Sequence, residues 1–238
     1  MFFSVIIPAC NEEGYLDRTL ASIEAARAFA PEQEIEIVVV DNASTDRTAS
    51  IAAAAGARVV TEAVRNVGRA RNKGAASAVG ECLVFIDADT FVPAHLFRRV
   101  AELLHDPSCI GGAADALHSS NRLVVRLYLQ FWRVIGTIAG MAQGATQFCR
   151  RDAFDALDGY DETLWMGEDV DFYWRLRNFA KRTHARVQFA NDICVHPSTR
   201  RFDRWPVWQI LLRTNPLFVL VFRRHRAAWK GWYDHLVR

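Results

Sequence analysis

Ile35-Glu36-Ile37-Val38-Val39-Val40-Asp41 is the stretch that decides the fold. From Ile37 to Val40 every residue is β-branched, with no alternation of apolar and polar side chains. A strand of that kind needs cover on both faces, which is the situation of a parallel sheet between helix layers. Similar apolar runs flank it: Phe3–Ile7, ended by Pro8, then Arg58–Val60 and Cys82–Ile86. Between the runs the apolar spacing turns helical. Gly14–Phe29 carries Leu16, Leu20, Ile23 and Ala26; Asp46–Ala55 is Ala-rich, with Ser44 and Thr45 as cap candidates and Gly56 as its stop. Val67–Val79 runs to Gly80, and Pro93–Leu104 has Pro in its first turn. Strands alternating with helices at this spacing predict right-handed crossovers and a mostly parallel α/β sheet.

Beyond Ser108 the pattern loosens into a Gly-Ala stretch, an aromatic helix over Leu123–Ile138 and a strand-like Ala145–Arg150. A helix from Glu168 to Arg182 and three short helices follow. The expected organisation is a catalytic domain over residues 1–200, divided at 107/108, with a basic, Trp-rich helical segment over 201–238. At 238 residues, 51% hydrophobic and net charge +2, the chain is neither disordered nor a small disulfide framework. Five cysteines, Cys10, Cys82, Cys109, Cys149 and Cys194, stand at no metal-ligand spacing and read as buried thiols in a reducing, cytoplasmic compartment, which argues against zinc. The start, Met1 to Pro8, lacks the basic residues of a signal peptide. Two oily stretches are interrupted, Val134–Phe148 by Gly136, Gly140, Gln143 and Gly144, Trp205–Phe222 by Gln209, Arg213, Asn215 and Pro216, so neither predicts a spanning helix.

The small net charge conceals an asymmetry. Residues 1–171 hold 15 Lys and Arg against 24 Asp and Glu, whereas residues 172–238 hold 14 against 3. The basic part also contains Trp174, Trp205, Trp208, Trp229 and Trp232. Two readings stay open: contact with an anionic membrane surface, or a solvated basic face whose tryptophans pack on the main domain. No nucleic-acid-binding module is present, so nucleic acid is not an expected partner.

In open parallel sheets, ligands bind outside the carboxyl ends of the strands. This chain puts Pro8 to Glu13 after the first run, Asp41 to Asp46 after the second, Asn66 to Gly74 after the third and Asp87-Ala88-Asp89-Thr90 after the fourth. One carboxylate at a strand end is ordinary loop chemistry, but four polar ends on one rim make a candidate site. Asp87 and Asp89 stand two apart, where side chains point the same way, and such a pair suits a hard cation such as magnesium or manganese; alone it reads as two solvated aspartates, and its place after an apolar strand of a parallel sheet favours the cation. Asp41 and Asn42 can accept from a base or ribose, or form an Asx turn, a task that suits Asp46 better. Arg69 and Arg71 carry guanidinium forks suited to phosphate or a flat base, against a solvated helix face. Glu168, Asp169 and Asp171 open a helix after Gly167; capping explains some of them, and a general base is the alternative.

Taken together, these motifs resemble the family-2 inverting glycosyltransferases of GT-A fold. The likeness is carried by Ser4-Val5-Ile6-Ile7-Pro8-Ala9-Cys10-Asn11-Glu12, Val40-Asp41-Asn42-Ala43-Ser44-Thr45-Asp46, Asn66 to Gly74, Phe85-Ile86-Asp87-Ala88-Asp89, and Gly159-Tyr160-Asp161-Glu162 leading to Gly167-Glu168-Asp169-Val170-Asp171-Phe172 and Arg175. It spans about residues 3–180 in the family's order.

The resemblance implies a metal-assisted transfer of a sugar from a UDP-, GDP- or dTDP-sugar to an acceptor hydroxyl; the basic, Trp-rich end of the chain suggests a lipid or lipid-linked acceptor at a membrane. Asp41 would meet the base, with Pro8, Ala9 and Glu12 lining its pocket and Arg71 near the base or diphosphate. Asp89 would bind the divalent ion, with Asp87 and Ala88 beside it on the ribose or metal shell. Asp169, or else Glu168, would be the base, and His196 an additional metal or phosphate ligand. Many members have two consecutive Asp after the second strand; Asp41-Asn42 departs from that. Two other classes fit less well. A sugar-1-phosphate nucleotidyltransferase needs a Gly-rich basic loop where Pro8–Glu13 is acidic, and a nucleotide-sugar or membrane-surface binding protein without catalysis has no use for both Asp89 and Asp169.

Overall fold

The decisive run becomes strand β2 (Glu34–Asp41), with Ile37 to Val40 all buried. The computed structural model describes residues 1–139, 141–142 and 145–232. Gly140, Gln143 and Gly144 of the first oily stretch, and residues 233–238 of the basic segment, lie outside that range. Before β2 come β1 (Phe2–Ala9) and α1 (Leu16–Ala28); after it α2 (Thr48–Ala54), β3 (Arg58–Thr61), α3 (Val67–Ser77) and β4 (Cys82–Ile86). These four strands pair in parallel in the order β3-β2-β1-β4, as the alternation of patterns predicts. Ser44 and Thr45 do not cap α2: Asp46 accepts from Thr48 N at 3.0 Å and Glu13 N at 3.1 Å. Asp46 serves both amides because a carboxylate accepts at either oxygen.

The next part departs from the sequence reading. After β5 (Thr90–Phe91) and α4 (Leu96–His105), the Gly-Ala stretch is a strand, β6 (Cys109–Ala116). Its composition hides it, because small residues have poor strand propensity. The close approach of neighbours requires them: a Cβ on Gly111 would stand 2.6 Å from the Phe148 carbonyl oxygen, and one on Gly112 would strike Gln188. Next come α5 (Leu123–Ala139), β7 (Thr146–Arg150), α6 (Arg151–Ala156), α7 (Glu168–Arg182) and β8 (Arg186–Pro197), a strand the sequence reading did not anticipate. β7 inserts antiparallel between β4 and β6, and β8 runs parallel to β6, with register shifts, before pairing β5. The result is a mixed α/β sheet in the order β3-β2-β1-β4-β7-β6-β8-β5, flanked by helices.

Two apolar clusters fill the two sides of the sheet, one with α1 and α4, the other with α3, α6 and α7. The chain continues through α8 (Arg200–Arg204), α9 (Val207–Arg213), α10 (Pro216–Phe222) and a 3-10 turn (Arg226–Trp232). Of the tryptophans of the basic part, Trp205 and Trp229 are buried and Trp174 and Trp208 exposed.

Candidate active site

β4 is apolar and wholly buried, so the first polar residues after it emerge at the sheet's rim. The turn is pinned there: Asp87 N donates to Ala145 O at 3.2 Å, and Ser198 N to Asp89 O at 3.1 Å. Ala88 points into the core and its carbonyl accepts from Thr19 Oγ1 at 2.9 Å. The alternation therefore sends Asp87 and Asp89 the same way, into a cavity of about 470 Å3 that Asp169 also lines.

Arg71 organises one flank. Asn66 caps α3, accepting from Arg69 N at 2.9 Å, and the helix carries Arg71 under the rim, 2% exposed. Its guanidinium donates to Asp87 Oδ1 at 2.8 Å and Glu168 Oε1 at 2.7 Å and lies 5.1 Å from the Tyr160 ring centroid. Tyr160 in turn donates to Gln147 Oε1 at 3.0 Å, and Gln147 Nε2 to Asp169 O at 3.0 Å. Burial pushes the Asp87 carboxyl up to about 6, with Arg71 opposing and Asp89 adding to the shift. Burial also raises Glu168, beside Asp169, again against Arg71. Glu168 is thus tied to an arginine, whereas Asp169, one residue later in the first turn of α7, faces the cavity. Gly167 precedes them at φ +73°, a left-handed conformation that favours glycine.

Arg200 organises the other flank. From the start of α8 its Nη2 donates to Glu12 Oε1 at 2.6 Å and Oε2 at 2.7 Å and lies 3.2 Å from Asp89 Oδ2. The guanidinium is stacked 4.2 Å from the Tyr15 ring centroid, and its buried Nη1 has no hydrogen-bond partner among the described residues. Nothing in the sequence pairs residues 188 apart, and Arg200 was not singled out there.

Asp41 and Asn42 part company. Asp41, at the end of β2 beside Ala9, accepts from Ser44 N at 3.2 Å and is not a wall of the cavity. Pro8 precedes Ala9 in the same register, level with Val40. Asn42 is buried: Nδ2 donates to Glu62 O at 3.0 Å and Val64 O at 2.6 Å, and Oδ1 accepts from Asn66 N at 3.0 Å. The amide at the departing position therefore holds the loop before α3, which a carboxylate could not do as a donor.

The histidine at the cavity is also not the one singled out from sequence. His196 is exposed on β8 opposite Phe91 and does not line the cavity; His118, just past β6, does. Burial lowers the His118 pKa, with Asp89 and Asp115 opposing. A polar residue after a strand that is invisible in the sequence gives no local signal. Among the described residues no three His, Cys, Asp or Glu side chains gather as a metal cage. Asp87 and Asp89 each have one oxygen on an arginine, and no protein donor meets the other among the described residues. That donor set suits an ion completed by waters and ligand phosphates, as magnesium-type sites are.

Residues 4–157 match the sequence model described as Glycosyl transferase family 2. The chain belongs to that family. Among curated family relatives, an uncharacterized glycosyltransferase of Mycobacterium tuberculosis is 35% identical over 136 residues, 57% of this chain and 56% of that protein. The poly(ribitol-phosphate) beta-N-acetylglucosaminyltransferase TarS of Staphylococcus aureus is 32% identical over 112 residues, 44% of this chain and 19% of that protein. This family-2 chain thus spans about half, or less, of the length of these relatives. Among solved structures, S. aureus TarS with UDP-GlcNAc superimposes with TM-score 0.65 at 20% identity, covering 98% of this chain and 70% of that one. The mannosyltransferase PcManGT of Pyrobaculum calidifontis, with GDP-Man and Mn2+, gives TM-score 0.64 at 23% identity over 82% of this chain and 56% of that one. At these identities the superpositions establish the GT-A fold.

Proposed function

We propose that the chain transfers a glycosyl group, with inversion, from a nucleoside diphosphate sugar to an acceptor hydroxyl. The observation that carries the reading is that Asp87 and Asp89, in the turn after β4, and Asp169, on α7, line one cavity. Residues 1–107 would hold the donor: Asp41, Pro8, Ala9 and Glu12 at the base and ribose, Asp87 and Asp89 at the diphosphate. The bound ligands named for the neighbours, UDP-GlcNAc in TarS and GDP-Man with Mn2+ in PcManGT, support donors of this class.

Asp87 and Asp89 would hold a divalent ion, which when bound supplies Lewis-acid stabilisation of the leaving diphosphate. Arg71 keeps Asp87 oriented, and Arg200 does so for Asp89 and Glu12. The unpartnered Nη1 of Arg200 is a donor for an anionic group beside them. Asp169 takes the proton of the acceptor hydroxyl, whose oxygen bonds to the anomeric carbon from the face opposite the diphosphate. The bond from that carbon to the diphosphate oxygen breaks, and its electron pair leaves with the nucleoside diphosphate. The base for this step must line the space where the acceptor binds. Asp169 lines the cavity, whereas Glu168 does not and is bound to Arg71.

The test is nucleoside diphosphate release from UDP-, GDP- and dTDP-sugars with Mn2+, after a thermal-shift screen for the donor that raises the melting temperature. Asp169→Asn is expected to keep the donor-induced shift and lose transfer. Near-normal transfer by that variant would remove Asp169 from the role; a donor shift without turnover on any acceptor would favour a binding protein.

A further inference from the structure

We infer that the outer faces of α5, α9 and α10 dock on an anionic lipid bilayer, setting the cavity mouth at the membrane surface, so that the acceptor is a membrane-resident amphiphile. Twelve of the sixteen large apolar side chains exposed among the described residues come from these three helices. On α5, Leu123, Leu127, Phe131 and Val134 follow one another at spacings of four, four and three, a single stripe. The opposite side of α5 is occupied: Val125 and Leu129 pack with Trp205 and Ile210. On α9, Trp208, Leu211 and Leu212 are exposed, and on α10, Leu217, Leu220 and Val221, with Leu217 at 72%.

The helices are joined. The Tyr128 hydroxyl hydrogen-bonds that of Thr214 at the end of α9. Asn215 caps α10, accepting from Leu217 N at 2.9 Å, and buried Trp229 donates to Phe222 O at 2.9 Å. Side chains scattered singly on a surface need no explanation; stripes on three linked helices do. No described helix is long and apolar enough to cross a membrane, so these faces would lie on one.

Charge selects the occupant. Residues 201–232 carry seven Arg and Lys and one acid, Asp203, and α5 carries Arg126 and Arg133; of these, Arg133, Arg223 and Arg224 also pair with Asp115, Asp171 and Asp161. Apolar stripes among cations match a surface of anionic headgroups over acyl chains. A second copy of the chain would instead set like charges against each other. The same helices line the cavity, through Leu129 and Trp132 of α5, Arg213 of α9 and Val219 of α10, together with Asp87, Asp89 and Asp169. Leu220 is both an outer-face residue and a cavity wall, which marks the rim. An apolar chain entering between the helices would present its polar end to Asp169. The acceptor part of this inference rests on the glycosyltransferase reading; the docking part does not.

The experiment is flotation of the full chain with vesicles of phosphatidylcholine, with and without phosphatidylglycerol. Binding to the anionic vesicles that weakens with salt is expected, with at least about tenfold loss for Leu127→Glu combined with Leu217→Glu. Val79→Gln, an exposed apolar site elsewhere, should bind as the parent does. No vesicle binding, equal binding by parent and double variant, or a dimer in sedimentation equilibrium that the double variant dissolves would each overturn the docking surface. Transfer from the donor to water-soluble sugars, as fast as to lipid extract, would overturn the amphiphilic acceptor. Vesicle binding with no turnover on any acceptor leaves the docking surface standing and tells against the enzyme reading instead.

Discussion

Strands β1 to β4 and the part of the molecule beyond β5 are built in different ways. In the first, each strand is a continuous apolar run, each crossover helix has its own spacing and stop, and the polar residues fall at strand ends. In the second, β6 is made of Gly and Ala, β8 is half exposed, and the site residues are held by partners from the far side of the chain. The contrast teaches that one side of this cavity is specified locally and the other by tertiary contacts, although both meet at Asp87 and Asp89.

Substitutions can break or sharpen that contrast. The largest effect is expected at Asp89, where both parts converge. Asp89→Ala should lower nucleoside diphosphate release by about a hundredfold or more, with the melting temperature little changed. A large fall in melting temperature would mean that Asp89 is structural, holding Arg200 and α8 in place.

Arg71 comes next, as the residue of the first part that reaches furthest into the second. Arg71→Met leaves Asp87 and Glu168 near each other without their shared cation. Removing one partner of a buried ion pair costs about 3–5 kcal/mol, and the lower end applies because Asp87 faces the cavity. Urea unfolding measures it, and a loss below about 0.5 kcal/mol would show that the pair is not coupled to folding. A smaller loss, about 1–3 kcal/mol, is expected for Asn42→Asp, which removes both donors to the Glu62 and Val64 carbonyls. Unchanged stability there would return position 42 to a role in binding.

The gentlest probe is pH. The Asp87 pKa is raised from 3.8 to about 6, so between those values the folded chain holds a proton that the unfolded chain has released. Stability then falls as pH rises through that interval. The melting temperature of the wild type, relative to that of Asp87→Asn, should decline from pH 4 to pH 6. A flat difference would mean that Arg71 already compensates the buried carboxylate.

Much of this was legible in the residues themselves. Ile37 to Val40 could only be a doubly covered strand, and Cys82–Ile86 followed by Asp87-Ala88-Asp89 put two carboxylates on one rim. The order of motifs from Ser4 onward pointed to the family that residues 4–157 match. Other features had no local signature. Gly111 and Gly112 look like a loop until Phe148 and Gln188 close on them. His118 rather than His196 reaches the cavity because β6 delivers it there, and Arg200 meets Glu12 across 188 residues.

What the sequence determined by itself is the set of elements whose causes are near neighbours: hydrophobic periodicity, caps and turns act over a few residues, and the first four strands are made of them. What only the tertiary structure decided is which charged groups share one cavity, which amide is structural, and which apolar helix faces remain uncovered. Burial and pairing of charge are set by distance in space, and no spacing along the chain encodes that distance once strands from opposite ends lie side by side.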